Sequence, residues 1–178
     1  VRRWTNAALL IREDSGQPLC ERDVNPRAAG TRPMAWHAHR GEAIALDTTQ
    51  DWGKSMPAGL ALRGRFLVNG VHGPIPCRPA MAHYEDACEA WTPEQVEAFT
   101  GVPAQRVRDA AALIAAARMP SYFRWTGIAQ HANATQTDRA IAMLYALTGA
   151  VDAPGGNLHL NKLPANPASD RRLLDPAQ

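Results

Sequence analysis

Thr92-Pro93-Glu94-Gln95 is the stretch of sequence that decides how the second half of the chain folds. A threonine at the N-cap, a proline at the first helical position and a glutamine three residues after the threonine form a capping box, which satisfies free backbone N–H groups at the start of a helix. The sequence therefore predicts a short helix from Pro93. Gly101 should end it, because glycine tolerates the left-handed conformation of a helix C-cap.

Two longer helices are predicted after this one. Pro103 opens a helix that runs to about Arg118, and residues 135–148 form another, ended by Gly149. Apolar residues recur at helical spacing along each of them. In the first helix the stripe consists of Val107, Ala110, Ala111, Ile114 and Ala117. In the second helix the residues expected to face inward are Ile141, Leu144, Tyr145 and Thr148.

Between these helices lies an aromatic segment, residues 121–126, which contains Tyr122, Phe123 and Trp125. Aromatic enrichment favours a strand, and Pro120 separates the segment from the preceding helix. We therefore expect the order helix, helix, strand, helix, with residues 121–125 in a sheet and Gly127 at its carboxyl end. Because open α/β sheets bind ligands beyond the carboxyl ends of their strands, residues 126–133 are the candidate binding loop.

The part before Pro79 has a different pattern, with short apolar runs separated by turn residues. Residues 7–12, 42–46 and 65–68 are predicted strands, and residues 19–22 are a hairpin partner of the first. The predicted turns are Asp14-Ser15-Gly16 and the Asn69-Gly70 dipeptide, and residues 52–60 are an expected irregular loop. The fold class is therefore α/β, with a strand-rich insertion or connector over 1–78, an α/β segment over 79–160 and a polar connector over 161–178.

Composition excludes several classes of function. No window approaches the roughly 18 uninterrupted apolar residues that a membrane span requires, so no span is expected in this segment. The 19 basic and 17 acidic residues give a charge of only +2, dispersed along the chain, and provide no reason to expect nucleic acid as a partner. The chain lacks an initiator methionine and ends in a polar stretch, so we expect an internal piece of a larger protein.

Reactive side chains do not form a recognisable site of their own. Cys20, Cys77 and Cys88 match neither a CxxC metal motif nor a disulfide framework. The six histidines include the alternating pair His37 and His39 but no HExxH motif, so no metal ligated by this segment is expected. The carboxylates of Glu85, Asp86 and Glu89 are interpreted as one solvated helical face.

Two loops are ambiguous when each is considered alone. The Gly155-Gly156 pair after Pro154 is either a loop that lets a cofactor approach the backbone or a simple turn. Gln130, His131 and Asn133 are equally typical of an ordinary polar loop. The amide, imidazole and hydroxyl groups around Gly127 would nevertheless suit a flat heterocycle rich in donors and acceptors.

Taken together, four motifs resemble the dimethyl sulfoxide reductase family of molybdopterin oxidoreductases. The motifs are Thr100-Gly101-Val102-Pro103, Trp125-Thr126-Gly127-Ile128-Ala129-Gln130-His131, Leu147-Thr148-Gly149 and Pro154-Gly155-Gly156-Asn157. The resemblance is strongest over residues 92–157. The first 75 or so residues are similar to a looser, strand-rich insertion of the family.

The resemblance implies an enzyme several times this length. Such an enzyme holds molybdenum or tungsten between two molybdopterin guanine dinucleotides and moves electron pairs or oxygen atoms. This segment would form part of the cofactor cradle, because the GxxQ loop of the family contacts the pterin dinucleotide. Thr126, Gly127 and Gln130 carry over as cofactor contacts, with Trp125 and His131 as neighbours. Gly155, Gly156 and Asn157 carry over from the second loop.

The resemblance also implies what lies outside this segment. An iron–sulfur cysteine motif and the residue that ligates the metal are not recognisable here, and the family order places them elsewhere. We therefore expect no catalytic or metal-ligating residue in this segment and no activity of the segment alone. The implied partners are the remaining domains of the parent chain and an iron–sulfur electron-transfer subunit. Cytoplasmic and periplasmic locations both stay open.

Two alternatives come from other classes of protein. Residues 94–101 and 105–114, joined by a short turn, could form a helix-turn-helix that binds DNA. The second of these helices offers Arg106 and Arg108 but otherwise mostly alanine, which leaves few side chains to contact base edges. The other alternative is a small noncatalytic interaction domain, which the missing catalytic elements would permit.

Overall fold

The computed structural model of the chain describes residues 5–47 and 57–158. Within these ranges every strand precedes residue 80, and the longer helices follow it. The strands are β1 (Leu10–Arg12), β2 (Met34–His37), β3 (Glu42–Ala45), β4 (Phe66–Gly70) and β5 (Gly73–Pro79). The helices are α1 (Glu21–Val24), α2 (Ala80–Glu89), α3 (Pro93–Thr100), α4 (Ala104–Ala116), α5 (Thr126–Ala129) and α6 (Ala134–Thr148). The expected mixture of strands first and helices later is confirmed, but the described residues after Pro79 form no strand, so the segment predicted as α/β over 79–160 is helical there.

The strands pair in two antiparallel groups. One sheet has the order β1-β5-β4, and β2 pairs with β3. A bridge between Leu9 and Ala35 joins the two groups. Leu10, Leu19 and Cys77 are fully buried in the larger core, where the Trp36 and Phe66 rings stack with centroids 4.5 Å apart. The core of the described chain therefore lies in its N-terminal part.

The predicted strands are confirmed at residues 42–45 and 66–68, whereas the strand predicted over 7–12 is confirmed only over Leu10–Arg12. Two further local corrections concern turns and strand ends. The hairpin partner of β1 is shorter than expected, because the Leu19 amide donates to Leu10 but Arg22 already belongs to α1. The hairpin turn lies at Val71-His72 rather than at Asn69-Gly70. Gly70 pairs with Gly73 inside the hairpin, where a Cβ on Gly70 would lie 2.9 Å from the Gly73 carbonyl oxygen.

The predicted capping box of α3 is confirmed. The Gln95 amide donates to Thr92 Oγ1 at 3.3 Å, and the Thr92 amide donates to Gln95 Oε1 at 3.0 Å. Gly101 ends the helix with φ 73°, and Gly149 ends α6 with φ 75°. Glu97 also accepts a hydrogen bond from the Ala104 amide at 2.9 Å, which joins the end of α3 to the start of α4.

The predicted strand at residues 121–125 is wrong. These residues pair with no strand of the described chain, and Phe123 and Trp125 are 94% and 86% exposed. An aromatic run becomes a strand only where a neighbouring strand takes up its backbone bonds and a sheet covers its rings. Gly127 accordingly lies inside α5 and not at the end of a strand, so the order after α2 is four helices. The position of residues 126–133 beyond a strand end therefore no longer supports their role as a binding loop.

The apolar faces of α4 and α6 are less covered than expected. Within the α4 stripe only Val107 and Ile114 are half-buried, and the alanines are exposed. In α6, Leu144 is 39% exposed, whereas Ala146 is buried. The reason is an open groove of about 500 Å³ between the two helices, which Leu144 lines together with Ile114. No helix of the described residues is long and apolar enough to cross a membrane.

Two parts of the sequence-based prediction fall partly or wholly outside the described residues. The expected loop at residues 52–60 is described only from residue 57, where a turn precedes a bridge between Leu60 and His37. The expected connector over 161–178 lies outside the described residues altogether. The domain boundaries therefore stay predictions.

The burial of Leu10 gives a stability test. We expect Leu10→Ala to lower the free energy of unfolding by about 2 to 5 kcal/mol, since it leaves a cavity in the core. Leu67→Ala is the matched control because Leu67 is 64% exposed, and its effect should stay below about 0.5 kcal/mol. Chemical denaturation of both variants measures the difference, and equal effects would contradict the placement of the core.

The three thiols should differ in reactivity. Burial raises the pKa of the Cys77 thiol to about 11, whereas Cys88 is exposed. Because the thiolate is the reactive form, iodoacetamide at pH 8 should label Cys88 and spare Cys77 in the native protein, as read by mass spectrometry. Labelling in denaturant is the control, in which both should react. Rapid labelling of native Cys77 would contradict its buried position.

Candidate functional site

The residues predicted to contact a cofactor lie on two loops of the helical part. Trp125, Thr126, Gly127, Gln130 and His131 form one group on and around α5, and all of them are exposed. The backbone N–H of Gln130 ends α5 by donating to the Thr126 carbonyl at 3.0 Å, which leaves the Gln130 side chain outside this bond. One short turn of helix therefore presents a hydroxyl, an amide, an imidazole and an indole ring from a small area of open surface.

Gly127 is a glycine that this part of the fold does not require. It has an ordinary φ inside α5, and a Cβ built on it meets no atom within 4 Å. Alanine is favoured over glycine by about 0.5 to 1 kcal/mol in a helix interior and by less in the first turn, where Gly127 lies. The glycine is therefore unfavourable locally, and the open space around it leaves the backbone accessible to another molecule.

The second predicted group, Gly155, Gly156 and Asn157, belongs to a loop that is tightly bonded to itself. The Asn157 amide donates to the Ala150 carbonyl at 3.1 Å, and the Asp152 amide donates to the Asn157 carbonyl at 2.8 Å. A Cβ on Gly156 would lie 2.9 Å from the carbonyl carbon of Ala150. Gly155 has φ 89°. The conformation of the loop therefore requires glycine at both positions, whether or not a ligand is bound.

A side chain links the two groups. The Asn157 amide group accepts from the Tyr122 N–H at 2.9 Å and donates to the Tyr122 carbonyl at 2.9 Å. Each such hydrogen bond contributes about 1 kcal/mol net. Tyr122 precedes Trp125 by three positions, so the loop around Asn157 is attached to the segment that leads into α5.

Helix α6 supports the same segment from another direction. The Tyr122 and Tyr145 rings lie 6.0 Å apart, and Arg124 Nε is 3.0 Å from Asp138 Oδ1. Burial raises the pKa of the Tyr145 hydroxyl, and the neighbouring Tyr122 and Asp138 raise it further. The raised pKa keeps the Tyr145 hydroxyl protonated well above neutral pH, and its ring packs against that of Tyr122.

Other clusters singled out in the sequence have local partners. Arg63 and Arg78 pair with Glu85 and Asp86 and lower the pKa of both carboxyl groups. This agrees with the solvated helical face expected there. The His37 and His39 rings are 6.0 Å apart, but the described residues contain no group of three or more side chains that could hold a metal ion.

Helices α3 and α4 do form a helix-turn-helix hairpin, but its charges are engaged within the hairpin. Arg108 pairs with Glu94 and lowers the pKa of that carboxyl group. Glu97 meanwhile caps the start of α4. Arg106 lies exposed on the same helix and has no ion pair within the described part of the chain. The basic groups of the hairpin therefore do not form a patch that would favour phosphate binding.

Sequence reasoning missed the link between Asn157 and Tyr122. Asn157 was predicted as a cofactor contact, and Tyr122 only as one aromatic residue of a strand. The signal that could have suggested the link is an asparagine after a glycine pair, because a carboxamide can both donate and accept. Its partner, however, lies 35 residues away in sequence, and only the fold brings the two together.

Comparison with known proteins finds distant relatives that are several times longer than this chain. The chain is 26% identical over 160 residues to dimethylsulfide dehydrogenase subunit alpha of Rhodovulum sulfidophilum, a match that covers 88% of this chain and 17% of that protein. It is 41% identical over 68 residues to the probable dimethyl sulfoxide reductase chain YnfF of Escherichia coli, covering 38% of this chain and 8% of that protein. It is 35% identical over 71 residues to formate dehydrogenase H of the same species, covering 40% and 10% respectively.

These matches confirm the resemblance on which the site was predicted. The chain is related to the molybdopterin oxidoreductases of the dimethyl sulfoxide reductase family. It spans about a sixth of the length of the dimethylsulfide dehydrogenase subunit, since the match covers 17% of that protein. No family model matches the chain.

The two glycines should respond oppositely to the same substitution. We expect Gly156→Ala to destabilise the protein by about 1 to 3 kcal/mol, because the new methyl group would collide with the Ala150 carbonyl. Gly127→Ala should leave the free energy of unfolding unchanged or raise it by up to about 1 kcal/mol. Thermal or chemical denaturation without cofactor measures both. A large loss of stability in Gly127→Ala would mean that the fold does need this glycine.

Proposed function

We propose that the chain is an internal part of a molybdenum or tungsten oxidoreductase, in which it helps to bind a molybdopterin guanine dinucleotide. The relationship to oxidoreductases of much greater length supports this proposal. The observation that carries it is Gly127, a locally unfavourable glycine in open space. Conflict between local preference and the residue present is typical of functional positions.

The chemistry of the exposed groups fits such a cofactor. A pterin and a guanine both present flat rings edged with donors and acceptors, and the Gln130 carboxamide can donate and accept at once. The Thr126 hydroxyl and the His131 imidazole add further polar groups, and the Trp125 indole offers a flat face. Gly127 would let a ring approach the backbone without a side chain in between.

The residues of this chain would hold and orient the cofactor. Thr126, Gly127 and Gln130 are the proposed contacts, with Trp125 and His131 beside them. Gly155, Gly156 and Asn157 would supply a second, backbone-rich wall. The bound cofactor would supply two-electron or oxygen-atom transfer at its metal ion. Metal ligand, substrate site and any iron–sulfur cluster would come from other parts of the enzyme.

The proposed partners follow from the same arrangement. Phe99, Leu113 and Phe123 are between 74% and 94% exposed. Large apolar side chains with so much exposed area are typical of surfaces that contact another domain or protein. The remaining domains of the parent chain would cover them. An iron–sulfur electron-transfer subunit is the second proposed partner, and it need not contact this segment.

The proposal is tested at Gln130. In the full-length protein, Gln130→Ala should leave buried cofactor atoms without partners, at about 1 to 3 kcal/mol for each group. We expect activity to fall about tenfold or more and cofactor retention to weaken, while the fold changes little because Gln130 is exposed in the chain itself. Turnover is measured together with the metal and pterin content of the purified protein.

Gln136→Ala is the matched control for this experiment. Gln136 lies on α6, is exposed and has no side-chain hydrogen bond in the described part of the chain. Its substitution should leave turnover and cofactor content near those of the wild type. Equal metal content, equal pterin content and equal turnover in Gln130→Ala and wild type would remove Gln130 from the cofactor site.

A further inference from the structure

The Asn157 side chain makes the bonds that a neighbouring strand would make. It accepts from the Tyr122 N–H and donates to the Tyr122 carbonyl, each at 2.9 Å, so both backbone polar groups of one residue are bonded to one carboxamide. Both hydrogen bonds are part-buried, and the two residues are 35 positions apart. The interaction is thus a tertiary contact and not a local turn.

Asn157 is itself held firmly by its own loop. Its N–H bonds to Ala150 and its carbonyl accepts from Asp152, which leaves the side chain projecting from a backbone bonded on both sides. Gly156 packs directly against the Ala150 carbonyl just before it. The backbone from which the carboxamide projects is therefore held in place by hydrogen bonds of its own loop.

The segment that Asn157 holds has few other attachments. Among the described residues, residues 121–125 have no strand neighbour, and Phe123 and Trp125 are almost fully exposed. The Tyr122 ring touches Tyr145, and Arg124 pairs with Asp138, both on α6. The ion pair is partly exposed, and such pairs contribute little. Within residues 5–47 and 57–158, the carboxamide is accordingly the main directional attachment of this backbone segment.

We propose that Asn157 is a positioning residue, whose side chain fixes residues 121–125 on the loop after α6 and so sets where α5 presents Gln130. The positioning of the segment stands on the contacts above, and its consequence for cofactor binding rests on the proposed function. The role requires a carboxamide. Aspartate of the same shape can accept from the Tyr122 N–H but cannot donate to its carbonyl, and alanine can do neither.

Hydrogen exchange of the full-length protein tests the positioning role directly. In Asn157→Ala, exchange of the peptide covering residues 121–131 should become about thirtyfold faster, the change expected when two hydrogen bonds of about 1 kcal/mol each are lost. The peptide covering β4 and β5 should exchange as in the wild type. Unchanged exchange over 121–131 overturns the proposal. A uniform rise across all peptides also overturns it, because it would make Asn157 a general stabilising residue.

Asn157→Asp keeps the shape of the side chain but can form only one of the two hydrogen bonds, the one from the Tyr122 N–H. We expect its exchange over 121–131 to be at least as fast as in Asn157→Ala, because a carboxylate oxygen would face the Tyr122 carbonyl oxygen to which the Asn157 side chain now donates. Asn69→Asp is the control for the added charge, because Asn69 is exposed on β4 and has no side-chain bond in the described residues. It should leave exchange over 121–131 unchanged, and a rise equal to that of Asn157→Asp would overturn the proposal.

Metal and pterin content of the same samples connects the positioning role to cofactor binding. Asn157→Ala should retain several-fold less pterin than the wild type, while Asn69→Asp retains as much. Faster exchange over 121–131 together with full pterin content would mean that Asn157 stabilises the segment without affecting cofactor binding. That result would overturn the proposed consequence for the site. A wild-type protein without pterin would contradict the proposed function, and the exchange comparison would still decide whether Asn157 positions the segment.

Discussion

Backbone N–H and C=O groups that are shielded from water need hydrogen-bond partners, and the rest of this structure depends on how each segment supplies them. The N-terminal part meets that need by pairing strands, so β5 lies between β1 and β4 and carries the fully buried Cys77 into the core. The α3 and α4 helices meet it with side-chain caps from Thr92 and Glu97. The aromatic segment has neither strand nor helix, and a carboxamide from a distant loop takes its place.

The same constraint separates two kinds of glycine in the helical part. Gly156 lies against the Ala150 carbonyl and has a role inside the chain, whereas Gly127 lies in open space within α5. A glycine that closes a loop needs no ligand to explain it, but a glycine in a helical turn, with an ordinary φ and no neighbouring atoms, does call for an explanation. The candidate contact surface is therefore centred on α5, and the loop of Gly156 supports it.

The distribution of exposed groups is consistent with a part of a larger assembly. The relatives are several times longer than the matched region, which covers 17% of one and 10% of another. Most arginines of the N-terminal part are paired with carboxylates, so the polar surface there is largely self-contained. Exposed aromatic and leucine side chains are concentrated in the helical part, at Trp91, Phe99, Leu113, Phe123 and Trp125. That is the part on which the proposed cofactor site lies.

Local signals determined much of the helical part without any structure. The capping residues Thr92 and Gln95, and the helix-ending Gly101 and Gly149, act within a few positions of sequence, so α3 and the end of α6 were predictable from them, and Pro103 predicted the start of α4. The resemblance to molybdopterin oxidoreductases was equally a matter of motif order along the chain. Tertiary structure alone decided that residues 121–125 are not a strand, because that outcome depends on whether another strand lies beside them. It also decided that Asn157 bonds to Tyr122, since a contact between residues 35 positions apart leaves no local trace in the sequence.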